Sequence, residues 1–313
     1  MTFFKRLLQL TAIAAIGLAC LMLLARFHWF LEILTHFRIP AAIGLLLFIV
    51  LLLLAKSFKL SLAVTLFFLL QLIALSYHYL PFLKDRRTGS GPKLKVITFN
   101  VFTANLKREQ TLKFLSAQDA DLICLQEVDQ EWVTALKPLS ATHPHALEYP
   151  RSDNFGLLIL SKHPINNHQI DNSPSLGTPY LTAQITWNNT DITVINAHPL
   201  APLSAKEAQF RNTTLARIHQ DASTTQTPLI VLGDFNCSAY SPYFTPLKKT
   251  LHDPSRGRGY SVTWRRGNPL LGIPIDHLLH SDHFVCSSRQ IGPRLGSDHS
   301  PIIATLQAHS KTE

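Results

Sequence analysis

Three long apolar runs near the start of the chain constrain its fold more than any other feature. They cover residues 7–25, 39–55 and 60–79, and none of them contains Asp, Glu, Lys or Arg. A helix rises about 1.5 Å per residue, so roughly 20 residues cross the hydrocarbon core of a bilayer. The runs therefore predict an anchor of three transmembrane helices within residues 1–83.

A cleaved signal peptide followed by buried core helices is the alternative interpretation of these runs. A signal peptide has a single apolar stretch of about 7–15 residues, which three longer consecutive runs do not match. Because the runs carry no Asp, Glu, Lys or Arg, they indicate an anchor and not an ion pathway. We expect an integral, multi-pass membrane protein whose first partner is the lipid bilayer.

The distribution of Lys and Arg bears on the orientation of this anchor. Three spans place the two ends of the chain on opposite sides of the membrane. The N-terminal side carries Lys5, Arg6, Lys56 and Lys59, and the other side carries Arg26, Arg38, Lys84, Arg86 and Arg87. These counts do not decide the orientation. Since the first helix usually dominates, Lys5 and Arg6 favour a cytoplasmic N-terminus, with the rest of the protein outside the cytoplasm.

Most of the positive charge also belongs to the anchor. The chain has a formal net charge of +9, and residues 1–88 supply nine Lys and Arg against two acidic residues, which leaves +2 for residues 89–313. This charge flanks apolar runs, so it indicates a membrane surface more than a nucleic acid. Four Cys in 313 residues exclude a disulfide scaffold.

Residues 84–92 read as a linker, in which residues 89–92 form a flexible Gly- and Pro-containing break. Residues 93–308 are long enough for one substantial core. In this part, short apolar segments alternate with helical patterns, which predicts α/β structure with mixed sheets. We expect strands at 94–99, 122–125, 156–160, 181–187, 192–196, 229–232, 275–280 and 302–306. We expect helices at 107–117, 130–136, 205–222 and 242–249.

Polar side chains suited to catalysis stand where the predicted strands stop or start. They are Asn100, Glu127, His198, Asp234, Asn236, Asp276, Asp298 and His299. Sites gather at strand ends because strands are rigid and the loops beyond them vary freely. We therefore expect these side chains to meet at one rim.

The residue types at this rim suit Mg²⁺ and phosphate chemistry. Mg²⁺ prefers oxygen ligands and keeps several waters, so Glu127 and Asp298 suffice as carboxylate ligands. Hydrolysis of a phosphoester needs an activated water, a cation and a donor for the leaving group. His198, Asp234 and His299, with Asn236, can supply the remaining functions. The sequence shows no zinc-type Cys or His set and no glycine-rich nucleotide loop, so we expect no nucleotide cofactor.

Each of these signals also has an ordinary structural alternative. Glu127 is suited to begin the helix that follows it, Asn100 is suited to a turn, and His198 is equally suited to capping a turn. An Asp–His pair in a loop is most often plain surface. The complete set, in order and at strand ends, is what favours a site.

Six motifs together resemble the endonuclease/exonuclease/phosphatase superfamily, which includes DNase I-like nucleases, sphingomyelinases and inositol-polyphosphate phosphatases. They are ITFNV at 97–101, LQEV at 125–128, NAHP at 196–199, GDFN at 233–236, PIDHLL at 274–279 and GSDHSP at 296–301. The resemblance covers nearly all of residues 93–308 and none of the anchor. It implies a four-layer α/β/β/α sandwich of two mixed sheets, with helices outside.

The resemblance also implies roles for the site residues. The resemblance implies that Asn100, Glu127 and Asp298 bind the metal, which is Mg²⁺ with Mn²⁺ as the alternative. It implies that the catalytic residues are His198, Asp234, Asn236, Asp276 and His299. Asp276 pairs with His299, and its charge raises the pKa of that imidazole. The general base is either Asp234 or His299. A second carboxylate partner for His198 is not evident, and Asp153 is the candidate.

These observations leave three function hypotheses. The first is a membrane-anchored, Mg²⁺-dependent phosphoesterase that hydrolyses a phosphodiester or phosphomonoester with water, on a lipid-associated substrate. The second is a metal-dependent endonuclease or exonuclease acting on DNA or RNA. A nuclease would need a basic groove to hold nucleic acid, and the net charge of +2 on residues 89–313 does not require such a groove. The third is a non-catalytic membrane scaffold that keeps the fold without the chemistry.

Overall fold

A computed structural model describes residues 2–85, 87–259, 261–268 and 271–309. Arg86, in the expected linker, lies outside the described residues. The N-terminal part is helical and consists of α1 (Thr2–Leu23), α2 (Trp29–Leu34), α3 (Arg38–Leu54) and α4 (Phe58–Tyr79). The remainder is an α/β domain that begins with a strand at Lys93.

Three apolar helical stretches among the described residues are long enough to cross a membrane, by length and composition. They are Phe3–Leu23, Trp29–Leu54 and Phe58–Tyr79. Their inner faces pack Ala12, Ala19, Leu45 and Val64 against one another, while large apolar side chains cover the outer faces. The second stretch starts ten residues before the predicted run, because α2 and a 3₁₀ turn at Thr35–Phe37 continue into α3. We call residues 29–37 the connecting segment.

The strands of the described α/β domain form two mixed sheets. They are β1 (Lys93–Asn100), β2 (Leu122–Gln126), β3 (His145–Tyr149), β4 (Leu157–Ser161), β5 (Ile165–Asp171), β6 (Tyr180–Trp187), β7 (Thr190–Ala197), β8 (Leu229–Asp234), β9 (Asp276–His280), β10 (Phe284–Ile291) and β11 (Ile302–Ala308). One sheet has the order β10-β11-β1-β2-β4-β3 and the other β5-β6-β7-β8-β9. The pairs β1–β2 and β7–β8 are parallel, and the other neighbours are antiparallel.

The sheets pack face to face, with helices on their outer faces. The helices are α5 (Arg108–Ala117), α6 (Gln130–Leu136), α7 (Ala205–Thr224) and α8 (Thr245–Thr250). Side chains alternate along β1, so Leu94 and Val96 enter the core between the sheets, whereas Ile97 and Phe99 pack under the helices of their own sheet. The predicted α/β/β/α sandwich preceded by three apolar helices is therefore confirmed.

Local signals in the sequence explain several element boundaries. Ser204 accepts a hydrogen bond from the Glu207 backbone N–H at 3.2 Å and starts α7. Asn188 and Asn189 both have positive φ, as a tight hairpin turn between β6 and β7 requires. The predicted helix at 242–249 is shorter, since only Thr245–Thr250 is α-helical.

The expected flexible break at residues 89–92 lies along β11. The Gly91 N–H donates to the Ala308 carbonyl at 3.2 Å, and the Gln307 side chain donates to the Gly91 carbonyl at 3.0 Å. A Cβ at Gly89 would stand 2.8 Å from the Gln307 side chain. The short stretch is therefore hydrogen-bonded to the end of β11.

The N-terminal helical bundle contacts the α/β domain through buried polar pairs. Glu32 pairs with Arg211 of α7 at 2.9 Å, and both side chains are fully buried. His36 Nδ1 lies 2.8 Å from Ser238 Oγ, and the Tyr77 hydroxyl donates to Asp253 at 2.9 Å. Because each of these contacts joins the end of the helical bundle to the domain, they hold the two parts in one arrangement.

The N-terminus of the chain lies at the far end of the bundle. Gln9, near the start of α1, donates to Ser57 in the turn between α3 and α4 at 3.2 Å. The connecting segment and the end of α4 lie at the opposite end, against the domain. The three apolar stretches thus place the N-terminus and the α/β domain at opposite ends of the bundle.

Candidate active site

The polar residues predicted from strand ends converge at one rim of the sandwich. Asn100 ends β1 and Asp234 ends β8, while Glu127 and His198 directly follow β2 and β7. Asp276 opens β9, which runs antiparallel to β8 and therefore starts where β8 stops. His299 precedes β11, which is antiparallel to β1. The register of the two sheets thus brings these side chains together from both halves of the domain.

Asp234 occupies the centre of this cluster. Its Oδ2 accepts a hydrogen bond from the Asn100 amide at 3.1 Å and lies 3.5 Å from Nε2 of both His198 and His299. Its Oδ1 accepts from the Asn236 backbone N–H at 2.9 Å. The carboxylate is almost fully buried. Asp234 is thus held in one orientation, with one oxygen directed between two imidazoles.

His299 is oriented by a second carboxylate. Its Nδ1 lies 2.9 Å from Asp276 Oδ2, and its backbone N–H donates to Ser297 Oγ at 3.0 Å. Thr263 Oγ1 in turn accepts from the Asp276 backbone N–H at 3.2 Å. Because Asp276 engages Nδ1, the Nε2 edge of His299 is the one directed at Asp234.

The charges of the cluster shift its titration strongly. Burial alone would lower the pKa of His299, but the nearby carboxylates of Asp276 and Asp234 outweigh it and raise that pKa to about 10. Burial would raise the pKa of Asp234, but His299 and His198 lower it to about 2. His198 is buried as well, yet its contact with Asp234 raises its pKa. The cluster therefore favours an ionised Asp234 beside a protonated His299, and Asp234 shifts the titration of His198 towards its protonated form.

Glu127 is placed by an unusual backbone conformation. Its φ of 60° lies in the left-handed region, which non-glycine residues seldom adopt. Its carboxylate accepts from the Asn100 amide at 2.9 Å and from the Thr103 backbone N–H at 3.3 Å. The strained turn and these donors direct the carboxylate into the cavity beside Asp234.

Asn100 acts in this arrangement as a hydrogen-bond donor. Its side-chain oxygen accepts from the Phe102 backbone N–H at 3.0 Å, and its NH₂ group faces Glu127 and Asp234. A metal ligand would have to present the oxygen. The structure thus shows Asn100 positioning the two carboxylates, and its predicted part in metal binding stays a prediction.

Asp298 and Asn236 lie at the edges of the cluster. Asp298 is exposed, and its carboxylate accepts from the Trp264 indole N–H at 2.8 Å. Asn236 has a left-handed φ of 49°, and its amide donates to the Pro199 carbonyl at 3.0 Å. Both residues line the cavity, Asp298 at its rim and Asn236 near Asp234.

The donor set fits a divalent cation that prefers oxygen. Asp234, Asp276 and His299 offer ligand atoms within 4.8 Å of one another, but Asp276 is engaged by His299. The cavity also presents the carboxylates of Glu127 and Asp298. Carboxylates without thiolates suit Mg²⁺ or Mn²⁺ better than zinc or copper.

The cavity above the cluster has a volume of about 440 Å³ and a largely apolar upper part. Phe102, Leu203 and Ile275 line it, and the Phe155 ring lies 5.2 Å from the His198 ring. The anchor also contributes Ile33, His36 and Phe37. This contribution was missed in the sequence, although Glu32, the single acidic residue of residues 1–83, marked the position.

The expected carboxylate partner of His198 is a different residue. Asp153 is exposed and forms an ion pair with Arg151. The carboxylate beside His198 is Asp234, at 3.5 Å, and His198 Nδ1 is buried without a hydrogen-bond partner among the described residues. The charge of Asp153, the expected candidate, is instead balanced locally by Arg151.

Comparisons with known proteins agree with this geometry. The model of the Endonuclease/Exonuclease/phosphatase family matches residues 97–299. A search of the curated proteins found no match.

Solved structures show the same fold at low sequence identity. Humanized D. rerio TDP2 with 14 mutations is 17% identical, with a TM-score of 0.60 over 69% of this chain and 99% of that one. D. rerio TDP2 complexed with single strand DNA product is also 17% identical, with a TM-score of 0.56 and coverage of 69% and 99%. An endonuclease/exonuclease/phosphatase from Beutenbergia cavernae DSM 12333 is 18% identical, with a TM-score of 0.57 over 69% and 72%. With its family match spanning most of the chain, this protein belongs to the endonuclease/exonuclease/phosphatase family.

Proposed function

We propose that the protein is a membrane-anchored phosphoesterase that uses a divalent cation, Mg²⁺ with Mn²⁺ as the alternative. It hydrolyses a phosphodiester or phosphomonoester with water as the nucleophile. The observation that carries the proposal is the position of Asp234, whose Oδ2 lies 3.5 Å from both His198 and His299 in the cavity that Glu127 enters. Members of the family are typically metal-dependent phosphoesterases or nucleases, which supports the same chemistry.

Glu127 and Asp298 would hold the cation, because their carboxylates face the cavity. When bound, the cation supplies positive charge to the phosphate oxygens and makes a coordinated water easier to deprotonate. Asn100 keeps Glu127 and Asp234 apart and oriented by donating to both. The chain thus separates the residues that bind the cation from those that handle protons.

Asp234 is the proposed base, and His299 the proposed donor. Asp276 contacts Nδ1 of His299 and stabilises the imidazolium, so the Nε2 proton is available to a phosphate or leaving-group oxygen. Asp234 keeps one oxygen directed into the cavity, where it accepts a proton from the attacking water. His198 approaches the same carboxylate from the other strand and donates to the phosphate from that side.

The anchor and the cavity support a substrate at the bilayer. Three helices are long and apolar enough to span a membrane, and residues of the connecting segment line the catalytic cavity. Among the described residues that line this cavity, no Lys or Arg is present. A site for a polyanion would normally carry such cations, so the lining favours a substrate with an apolar part.

A nuclease is the second candidate function. The structure of D. rerio TDP2 with a single strand DNA product shows that a protein of similar fold binds DNA. A non-catalytic scaffold is the third candidate, and the convergence of the catalytic residue types in one cavity speaks against it. The scaffold differs from the proposed phosphoesterase in having no turnover, and the nuclease differs from it in its substrate, so an activity assay tests both candidates.

The test uses the full chain in detergent with bis-p-nitrophenyl phosphate and p-nitrophenyl phosphate. We expect turnover that requires Mg²⁺ or Mn²⁺, stops with a chelator, and is lost in Glu127→Ala. Glu148→Ala is the matched control, since Glu148 is exposed on β3 and far from the cavity lining. Absence of metal-dependent turnover, or equal activity in the two variants, would refute the proposal and favour the scaffold. Cleavage of single-stranded DNA faster than of either ester would establish the nuclease instead.

A further inference from the structure

We propose that the groove between α1 and α3 binds the hydrocarbon chain of the substrate, so that the enzyme hydrolyses a phosphoester lipid whose chain stays in the bilayer. This inference rests on the proposed phosphoesterase function and adds the substrate class. It depends on three features of the described residues, which are an apolar groove, its position next to the catalytic cavity, and a connecting segment held in place by buried polar contacts.

The groove is a cavity of about 420 Å³ between the first two long helices of the anchor. Small residues open it, and larger apolar residues form its sides. They include Ala15, Ala19, Ala41, Gly44, Leu45 and Phe48. Each described residue that lines it is apolar or glycine. Because such a surface offers no hydrogen-bonding partner, its natural occupant inside a bilayer is a hydrocarbon chain.

The groove and the catalytic cavity meet at the connecting segment. Phe37 lines both of them, and the neighbouring residues Ile33 and Leu34 line the cavity and the groove respectively. The two spaces are therefore adjacent, and a molecule whose phosphate lies near Glu127 and His299 would reach the groove by extending its chain past Phe37. This adjacency favours a lipid that carries its phosphoester at one end over a lipid that only fills the groove.

The chemistry of the two spaces matches the two ends of such a molecule. The floor of the cavity carries carboxylates and imidazoles, and its upper part is lined by side chains such as Phe102, Phe155 and Leu203. Leu203 is 77% exposed although it borders the cavity. A polynucleotide would place its charged backbone against these apolar side chains, which is unfavourable, whereas an alkyl phosphoester would place its hydrocarbon chain there.

The relative position of groove and cavity is fixed by the protein and not by the substrate. Glu32 and Arg211 form a fully buried ion pair, and His36 contacts Ser238. Both contacts lie within or beside the connecting segment that separates the two spaces. Since the path is preorganised, binding of a chain needs little rearrangement.

Gly44 and Gly17 provide a matched pair of variants for the test. A Cβ at either position would meet nothing within 4 Å, so the first atom of a side chain is accommodated equally at both. Gly44 lines the groove, whereas Gly17 is exposed on α1 and does not line it. Gly44→Leu therefore fills the groove, and Gly17→Leu adds the same side chain to the outer surface.

The assay compares ethyl and octyl p-nitrophenyl phosphate with the full chain in nanodiscs. Burial of each methylene strengthens binding about fourfold, so we expect the octyl ester to exceed the ethyl ester in kcat/KM by at least about tenfold. Gly44→Leu should lower this octyl-to-ethyl ratio by at least about tenfold, and Gly17→Leu should keep the ratio of the unmodified protein. Because partitioning into the nanodisc is the same for both variants, their difference reports the groove.

Two results would overturn the inference in distinguishable ways. Metal-dependent turnover of both esters with equal ratios in Gly44→Leu and Gly17→Leu would remove the groove from substrate binding and leave the phosphoesterase function intact. This includes the case in which Gly44→Leu changes only the oligomeric state, as expected if a second copy of the chain covers the groove. Absence of metal-dependent turnover of either ester would refute the proposed function itself, and the inference with it.

Discussion

Removal of Glu32 should destabilise the protein far more than removal of an exposed acid. Glu32 and Arg211 are both fully buried, at 2.9 Å and 3.3 Å between their paired atoms. Glu32→Ala would leave the Arg211 guanidinium without its counter-charge, although Asn212 and the Asn236 carbonyl still accept hydrogen bonds from it. Breaking a buried pair by removing one partner costs about 3–5 kcal/mol.

This loss of stability is large enough to be seen in thermal unfolding. For a folded unit of about 150–250 residues, 1 kcal/mol corresponds to roughly 2–4 °C, so the apparent Tm should fall by about 6–20 °C. Fluorescence of Trp132 and Trp187, both buried in the α/β domain, reports the transition for the full chain in detergent. Turnover should fall as well, because Arg211 also contacts the backbone of Asn236 in the active site.

Two further variants separate the charge effect from a general loss of contacts. Glu148→Ala removes an exposed acid and should leave Tm nearly unchanged. Replacement of both Glu32 and Arg211 by Met should recover most of the loss, because a buried pair can often be exchanged for apolar residues at little cost. A change of about 1 kcal/mol or less in Glu32→Ala, or a double variant less stable than the single one, would refute the reasoning.

Three other perturbations have clear expected outcomes. His299→Ala should lower kcat on bis-p-nitrophenyl phosphate by about 10²- to 10⁴-fold, while His168→Ala, an exposed substitution on β5, should not change it; equal rates would remove His299 from the chemistry. Gly233→Ala should cost at least about 1–3 kcal/mol of stability and abolish turnover, since Gly233 has a φ of 133° and a Cβ would lie 2.0 Å from the Ala197 carbonyl oxygen next to Asp234; an unchanged Tm would contradict this. Burial lowers the pKa of His280 to about 4, so the unfolded chain takes up this proton first and about 3 kcal/mol of stability is lost as the pH falls from about 6.5 to 4. Tm measured against pH should be less steep in His280→Asn, and equal slopes would show that another group is responsible.

The sequence predicted the central strands well and missed three of the four strands at the sheet edges. Apolar runs located β1, β2 and β4 in one sheet, because central strands are buried on both faces and read as continuous apolar segments. The missed strands β3, β5 and β10 all stand at edges of the two sheets. Strand β5 reads INNHQID and is mostly exposed, so no apolar pattern marks it.

The positions of the site residues were predictable, and the resemblance also implied the contact of Asp276 with His299, but the contacts around Asp234 were not predictable. The end of a strand can be recognised from the local sequence alone. That these strand ends lie at one rim of the sandwich follows from the order of the strands in the sheets. Which atoms meet depends on register between distant strands, as shown by the contact of Asp234 with His198 and His299. The same limitation led to Asp153 as the expected partner of His198, whereas the structure places Asp234 beside that imidazole.

The share of the anchor in the active site was beyond sequence reasoning. Glu32 and Arg211 are 179 positions apart, and neither lies in a motif that the resemblance covers. A single acidic residue between two apolar runs indicates that a partner must neutralise its charge, but the sequence does not identify that partner. The packing of the connecting segment against α7 identifies it as Arg211.

The docking of the α/β domain on the helical bundle has a consequence for kinetics. With the apolar helices in a bilayer, the buried contacts of Glu32, His36 and Tyr77 fix the height and tilt of the catalytic rim above the headgroups. With the proposed function, the protein would encounter its substrate by lateral diffusion in its own leaflet and not from a neighbouring vesicle. Its velocity should therefore follow the mole fraction of substrate in the membrane, and addition of inert lipid should slow it even when the total amount of substrate is unchanged.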